Sequence, residues 1–257
     1  MTFFTRFLFF LIISLLFTLP CQAGKYVALT APMPPFSINK GLRVKGIAVD
    51  ILSVLMAQSG APIDTKDVKL MLWRHALQIG AAGPQKIVLN LERTPDNEHN
   101  FKWVGPIATR EYVVVARKGS PHLNSLNDLG KNKVGTLRDS LPEKELLAQG
   151  IPRTAMSSSF SHIVPLKKLK SKMVSYFAHG TASTAYLMKS AGLKWKDYEV
   201  VLTFNEVPIY FGFSKDTPDA FINKMNTNLA KLKRPGAGGR SGYEKIVAKY
   251  LPPEVVK

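Results

Sequence analysis

Residues 25–60 read KYVALTAPMPPFSINKGLRVKGIAVDILSVLMAQSG, and this stretch decides the fold class. Its first part, residues 26–30, is rich in residues that favour β-strands, and the prolines that follow predict an extended loop ending at Phe36. From Gly46 onward, apolar residues recur at helical spacing, which predicts a helix with one buried face that ends at Gly60. A strand followed by such a helix is typical of α/β proteins.

The rest of the chain continues this alternation without an internal repeat. Short β-rich runs predict strands, and the stretches between them predict helices. Ser140 followed by Glu143 fits a capping box, so we expect a helix that starts there and ends near Gly150. The other expected strands are residues 68–72, 87–91, 112–116, 199–204 and 209–213, and residues 134–140 are expected to be a strand running into a turn. The other expected helices are residues 73–79, 181–191 and one that begins at residues 217–218.

The N-terminus has the order of a secretory signal peptide. Arg6 precedes an apolar run over residues 7–19, and small residues follow at Cys21 and Ala23. The run is short for a membrane span, so we predict cleavage before Gly24 and a periplasmic mature protein. A retained anchor helix is the alternative. Lipid attachment at Cys21 is disfavoured because Pro20 stands where a lipoprotein site has a small residue.

Composition excludes several classes of function. Cys21 is the only cysteine, so a mature chain without residues 1–23 has no disulfide, thiolate metal site or cysteine nucleophile. The formal net charge of +17 favours acidic partners, and a surface lying against anionic lipid headgroups is the simplest of these. The sequence contains neither a recognition helix nor an RNA-binding motif, so we do not expect nucleic acid as a partner.

Several short motifs, in order along the chain, carry a family resemblance. The chain resembles the family 3 extracellular solute-binding proteins, which serve ABC importers of polar amino acids. The motifs are residues 35–37 (PFS), 46–51 (GIAVDI), 93–95 (RTP), 101–106 (FKWVGP), 214–218 (SKDTP), 242–246 (GYEKI) and 249–251 (KYL).

The resemblance implies an α/β, two-lobed, type II periplasmic binding fold. Two crossover strands would join the lobes, and a ligand would be held in the cleft between them as the lobes close. The implied first lobe is residues 24–112 together with residues 206–257, and the implied second lobe is residues 113–205.

The resemblance also points to ligand-binding residues in the first lobe. An aromatic side chain after the proline pair lies against the ligand in relatives, and Phe36 stands there; the alternative is packing within the lobe. Trp73 is a second aromatic candidate, with a core role as its alternative. Relatives hold the ligand carboxylate with the arginine of a Thr-x-x-Arg motif, and here that position is Asn97. Arg93, which also fits an exposed loop, is one substitute.

Arg110 and Arg138 are further candidates for binding an anion. Arg138 lies beside the helix start expected at Ser140, where free backbone N–H groups favour an anion. In the second lobe, relatives use an aspartate for the ligand amino group, but residues 174–181 (VSYFAHGT) contain no carboxylate. His179 and Thr181 are the candidates in that segment, although a single histidine in an apolar segment is often structural. An amino-acid ligand therefore cannot simply be transferred, and an anionic or uncharged solute becomes an alternative.

Motifs for catalysis are absent from the sequence. The five histidines have no metal-ligand spacing, and the glycines of residues 236–242 follow an expected helix instead of a strand, which argues against a dinucleotide cofactor. Exported dehydratases on the same fold are the enzymatic alternative, but neither Glu92 nor Asp139 has a recognisable partner for acid catalysis.

We therefore predict a monomeric, non-enzymatic binding protein that captures a small polar solute for an inner-membrane ABC permease. A sensory module for a membrane receptor is the main alternative.

Overall fold

The computed structural model describes residues 25–130 and 132–255. The predicted signal peptide lies outside the described residues. The strands are β1 (Val27–Thr30), β2 (Ile38–Lys40), β3 (Arg43–Lys45), β4 (Val68–Leu70), β5 (Lys86–Glu92), β6 (Lys102–Arg117), β7 (Val134–Leu137), β8 (Met156–Ser159), β9 (Tyr176–Gly180) and β10 (Tyr198–Phe213). The helices are α1 (Ile47–Ser59), α2 (Trp73–Ala82), α3 (Leu141–Ala148), α4 (Ile163–Lys170), α5 (Thr181–Ser190), α6 (Asp219–Lys233) and α7 (Gly242–Val247).

The two longest strands, β6 and β10, run through both halves of the structure. Each has 16 residues, and they pair antiparallel from Tyr198 opposite Arg117 to Phe213 opposite Lys102. At about 3.3 Å per residue, each strand extends over about 50 Å, which is long enough to reach from one lobe into the other. They are the two crossover strands that the resemblance implied.

The remaining strands of the main sheet attach to opposite ends of this pair. The order is β4-β1-β5-β10-β6-β9-β7-β8. On one side, β1 lies parallel to β4 and β5, and on the other, β7 lies parallel to β8 and β9. We call the half containing β1, β4 and β5 the first lobe, and the half containing β7, β8 and β9 the second lobe.

Helix α1 packs its apolar face into the core of the first lobe. Ile51, Leu52, Leu55 and Met56 are all fully buried there, together with side chains of β1, β5 and the end of β10. The backbone N–H of Gly60, in the left-handed region, closes the helix by donating to the Ala57 and Met56 carbonyls. The helix predicted between Gly46 and Gly60 is therefore confirmed.

The other predicted helices are also present, but three strand predictions were wrong in extent. The strand expected at residues 112–116 is the C-terminal part of β6, and those expected at residues 199–204 and 209–213 are one continuous β10. The centre of β10 is only partly buried, since it crosses between the lobes, so its sequence there lacks an apolar pattern.

Candidate functional site

Two cavities meet at Arg110, in the part of β6 that crosses between the lobes. The smaller, about 210 Å³, is lined otherwise by first-lobe residues: Met33, Trp73, Leu77, Asn90, Leu91, Glu92, Thr94 and Asn97. The larger, about 460 Å³, is bordered by both lobes and the C-terminal segment, including Phe36, Thr181, Trp195, Tyr198 and Tyr243. We call these the small cavity and the large cavity.

Arg110 of β6 is held in place by an ion pair with Glu92 of β5, two strands that β10 separates in the sheet. Its Nη1 donates to Glu92 Oε1 at 2.6 Å and to the Tyr112 hydroxyl at 3.3 Å, and its Nη2 lies 3.6 Å from Met33 Sδ. The Arg110 side chain is 16% exposed and that of Glu92 is 36% exposed. Because the pair is partly hydrated, its main effect is to position both charges at the cavity wall.

Asn90 is the most deeply buried polar residue of the small cavity, at 1% exposure. Its Nδ2 donates to Ser37 Oγ at 2.8 Å and to Thr30 Oγ1 at 3.3 Å. Its Oδ1 is buried without a hydrogen-bond partner among the described residues. A buried acceptor without a partner is costly, so a ligand that donates a hydrogen bond to it would gain free energy.

The hydroxyls of Thr30 and Ser37 determine the orientation of the Asn90 side-chain amide. Thr30 Oγ1 donates to the Ala31 carbonyl, so its contact with Ser37 Oγ at 3.1 Å requires Ser37 to be the donor. Both hydroxyl oxygens then have only acceptor capacity left for Asn90, and the NH₂ group must face them. The carbonyl oxygen of Asn90 is thereby presented as an acceptor.

The ligand-binding residues predicted in the first lobe differ in their positions relative to the two cavities. Trp73 and Asn97 line the small cavity, and Phe36 is 5% exposed, with its ring in the first-lobe core beside the large cavity. Arg93 forms an ion pair with Glu98 and lies over the Trp103 ring at 5.4 Å, and it lines neither cavity.

Asn97 uses its side chain to shape its own loop. Its Oδ1 accepts from the Thr94 N–H at 2.9 Å, and its Nδ2 donates to the Glu92 carbonyl at 2.8 Å. These bonds hold the turn that follows β5 and so fix the direction in which Glu92 leaves the strand. Asn97 therefore acts on the cavity by positioning its neighbours.

In the second lobe, Thr181 begins α5 and lines the large cavity, where its hydroxyl donates to the Glu111 carboxylate at 3.3 Å. Arg138 and Ser140 line neither cavity. The Ser140 hydroxyl caps α3 by accepting from the Glu143 N–H at 3.4 Å, and the Arg138 guanidinium lies 5.3 Å from the centre of the Phe160 ring.

The capping box expected at Ser140 is only half formed. The Glu143 carboxylate accepts from the Asp139 N–H at 2.7 Å and from the Ser158 hydroxyl, so it does not return to the Ser140 N–H.

His179 is buried near the end of β9. Its ring lies 5.4 Å from those of His162 and Phe177, and neither of its nitrogens has a hydrogen-bond partner among the described residues. Burial, followed by the nearby positive charges of His162 and Arg110, lowers the pKa of His179 to about 3. The imidazole is therefore neutral at physiological pH.

Met33 and Asn90 are among the residues of the small cavity that sequence reasoning missed, and it also missed the pairing of Glu92 with Arg110. A signal was present for one of them, because Asn90 interrupts the apolar run of β5, where a polar residue requires a reason. The Glu92–Arg110 pair joins residues far apart in the sequence, so only the fold reveals it.

Two other features bear on the type of site. Within residues 25–130 and 132–255, histidine, cysteine, aspartate and glutamate side chains form no cluster of three that could hold a metal ion. Over the same residues, every helix is too short or too polar to cross a membrane.

Comparison with solved structures identifies the fold. An ancestral cationic amino acid solute-binding protein matches with a TM-score of 0.70 and 20% identity over 89% of this chain and 96% of that one. The second substrate-binding domain of a putative amino acid ABC transporter from Streptococcus pneumoniae matches with a TM-score of 0.67 and 17% identity, over 89% and 100%. A histidine kinase sensor domain similar to periplasmic binding proteins matches with a TM-score of 0.64 and 17% identity, over 89% and 96%.

Sequence comparisons gave no further relatives. No family model matches the chain, and no curated protein matches it. The structural neighbours are amino-acid-binding domains of ABC transporters, arginine-binding proteins and a sensor domain, all at low identity. The chain therefore has the two-lobed α/β architecture of the type II periplasmic binding proteins, as the sequence motifs predicted.

Proposed function

We propose that this chain is an exported binding protein that captures a small polar solute between its lobes and presents the closed form to an inner-membrane ABC permease. The observation that carries this proposal is a first-lobe cavity that reaches the crossing strand β6 at Arg110 and contains a buried acceptor, Asn90 Oδ1, without a partner among the described residues. Ligand cavities with a few converging polar groups at lobe interfaces are typical binding sites.

The proposal includes the organisation predicted from the sequence. Residues 1–23 would be removed on export to the periplasm, residues 24–112 and 206–257 would form the first lobe, and residues 113–205 the second. We also propose that the protein acts as a monomer. The neighbouring structures are binding and sensor domains, which supports a role without catalysis.

A sensory role is the second candidate, favoured by the histidine kinase sensor domain among the structural neighbours. In that case, the closed lobes would signal to a membrane receptor instead of a permease. Both roles use the same binding step, and they differ in the partner that recognises the closed form.

A thermal-shift screen of the purified exported protein tests the binding step. We expect one class among amino acids, organic acids and amines to raise the melting temperature, because a ligand that binds only the folded state stabilises it. The absence of a shift, confirmed by calorimetry at millimolar ligand, would contradict a solute-binding function. Uptake of the labelled ligand by cells with and without the gene then separates import from sensing: unchanged uptake would favour the sensor.

A further inference from the structure

Taken together, the walls of the two cavities carry a net charge opposite in sign to that of the protein as a whole. The chain has 35 lysines and arginines against 18 aspartates and glutamates. Among residues 25–130 and 132–255, the lining of the two cavities nevertheless contains four glutamates, Glu92, Glu111, Glu199 and Glu254, and one cationic side chain, Arg110. Glu92 and Arg110 balance each other in the small cavity, and the excess of negative charge comes from the other three glutamates in the large cavity. A cleft with a net negative charge concentrates small cations.

Asn90 and Glu92 each leave an acceptor oxygen in the small cavity. The NH₂ groups of Asn90 and Asn97 are both used within the protein. Asn90 Oδ1 has no partner, and Glu92 accepts from Arg110 through Oε1 alone, so Oε2 has no protein donor among the described residues. A ligand group that fits this arrangement is rich in N–H donors.

The apolar part of the small cavity suits the rest of such a ligand. Trp73 offers an aromatic surface, with Leu77 and Met33 beside it. An indole ring attracts organic cations through its π electrons, and apolar side chains cover hydrocarbon. The volume of about 210 Å³ corresponds to roughly seven water molecules at about 30 Å³ each, which limits the ligand to a small molecule.

We infer that the cleft binds a small organic cation, whose ammonium or guanidinium group is held by Asn90 Oδ1 and Glu92 beside Trp73, and that a carboxylate on the ligand is not required. This inference rests on the proposed binding function and specifies its ligand class. Arg110 holds Glu92 in place through Oε1, and the ligand uses the remaining oxygen.

Calorimetric titration of the purified exported protein with three probes tests the ligand class. The probes are agmatine, which is arginine without its carboxylate, arginine itself, and succinate as an anion of similar length. We expect agmatine to bind with an affinity within about tenfold of arginine, and succinate not to bind.

The outcomes separate the two proposals. Binding of arginine but not agmatine, or binding of succinate alone, would overturn the cation inference and leave the binding function intact. Failure of all three probes, together with a negative screen of amino acids, organic acids and amines, would overturn both.

A pair of matched variants tests the residues. Glu92→Gln removes the charge from the small cavity, and Glu98→Gln makes the same change in an ion pair with Arg93 that lines neither cavity. We expect Glu92→Gln to weaken agmatine binding at least tenfold, since hydrogen bonds to charged groups are worth more than those to neutral ones. Glu98→Gln should leave the affinity unchanged. Equal agmatine affinities in the wild type, Glu92→Gln and Glu98→Gln would overturn the assignment of Glu92 to the cation site.

A second variant covers the case in which Glu92→Gln fails to fold, which its melting curve would show. Trp73→Leu keeps every charge of the cavity and removes the aromatic surface. We expect it to weaken agmatine several-fold, in line with the loss of a cation–π contact. Unchanged agmatine affinity in a folded Trp73→Leu protein would place the cation elsewhere and contradict the inference.

Discussion

The buried imidazole of His179 makes stability depend on pH. In the unfolded chain a histidine takes up a proton near its ordinary pKa of 6.5, whereas in the folded protein the pKa of His179 is about 3. Between these values the unfolded state binds the extra proton, so stability falls as the pH falls. The charged groups that act on the ring, His162 and Arg110, both disfavour its protonation.

Replacing this side chain should reduce the acid sensitivity. We expect His179→Leu to lose about 2 kcal/mol less unfolding free energy than the wild type between pH 7 and pH 5, since about 1.36 kcal/mol corresponds to each pKa unit. Urea denaturation at the two pH values measures the difference. His75→Gln, at an exposed position of α2, is the control and should follow the wild type. An identical pH dependence in His179→Leu would show that the ring is not held neutral.

Single residues also show how far the site was predictable. The sequence indicated Asn97 as a candidate through a family motif and Trp73 as an aromatic candidate, and both line the small cavity. It proposed Arg93 and Arg138 because of their charge. The charge of a side chain does not determine where that side chain points, and both arginines contact other partners outside the cavities. The functions of Asn90 and Glu92 depend on neighbours distant in the sequence, so a motif could not reveal them.

At the scale of the element, the start of α1 depends on Gly46. This residue has φ of 141°, and a Cβ placed on it would lie 2.2 Å from the Phe36 carbonyl oxygen. Phe36 O accepts the N–H of Ala48, and Pro35 O accepts that of Ile47, so the proline loop is bonded directly to the first turn of the helix. A side chain at position 46 would push the proline loop away from the first turn of α1.

We therefore expect Gly46→Ala to destabilise the protein by more than about 3 kcal/mol, combining backbone strain with a steric overlap that cannot relax cheaply. Gly60→Ala is the matched control at the other end of α1. It also has a positive φ, of 90°, but its Cβ would meet nothing within 4 Å, so it should cost only about 1–2 kcal/mol of strain. Chemical denaturation measures both. Equal losses would mean that the contact with Phe36 is unimportant.

The elements that were predicted share a strong local pattern. Helices α1, α5 and α6 have buried faces with helical spacing and clear start or stop residues, and these are readable from the sequence. The short hairpin β2–β3 and strand β8 were not predicted, because β2 and β3 have three residues each and β8 is a run of Met and Ser without alternation. Such elements form because neighbours supply their partners.

At the scale of the whole molecule, the two lobes touch directly beside the cavities. Ala185 of α5 is buried in the core cluster of the first lobe, and Ala182, Tyr186 and Trp195 pack against the same cluster. At the start of α5, the Ser183 hydroxyl donates to the Pro34 carbonyl at 2.7 Å. This bond links the second lobe to the proline loop that carries Met33 of the small cavity.

Removing this bond should shift the balance between open and closed lobes. We expect Ser183→Ala to enlarge the radius of gyration of the ligand-free protein and to weaken binding of its ligand up to about tenfold, since one hydrogen bond contributes about 0.5–1.5 kcal/mol. Ser190→Ala is the control, because that hydroxyl bonds to the Tyr186 carbonyl within α5. Small-angle scattering with and without ligand measures the shape change. If Ser183→Ala matches Ser190→Ala in both radius of gyration and ligand affinity, the hydrogen bond to the proline loop does not help to hold the lobes together. Closure then depends on the apolar contacts around Ala185 alone.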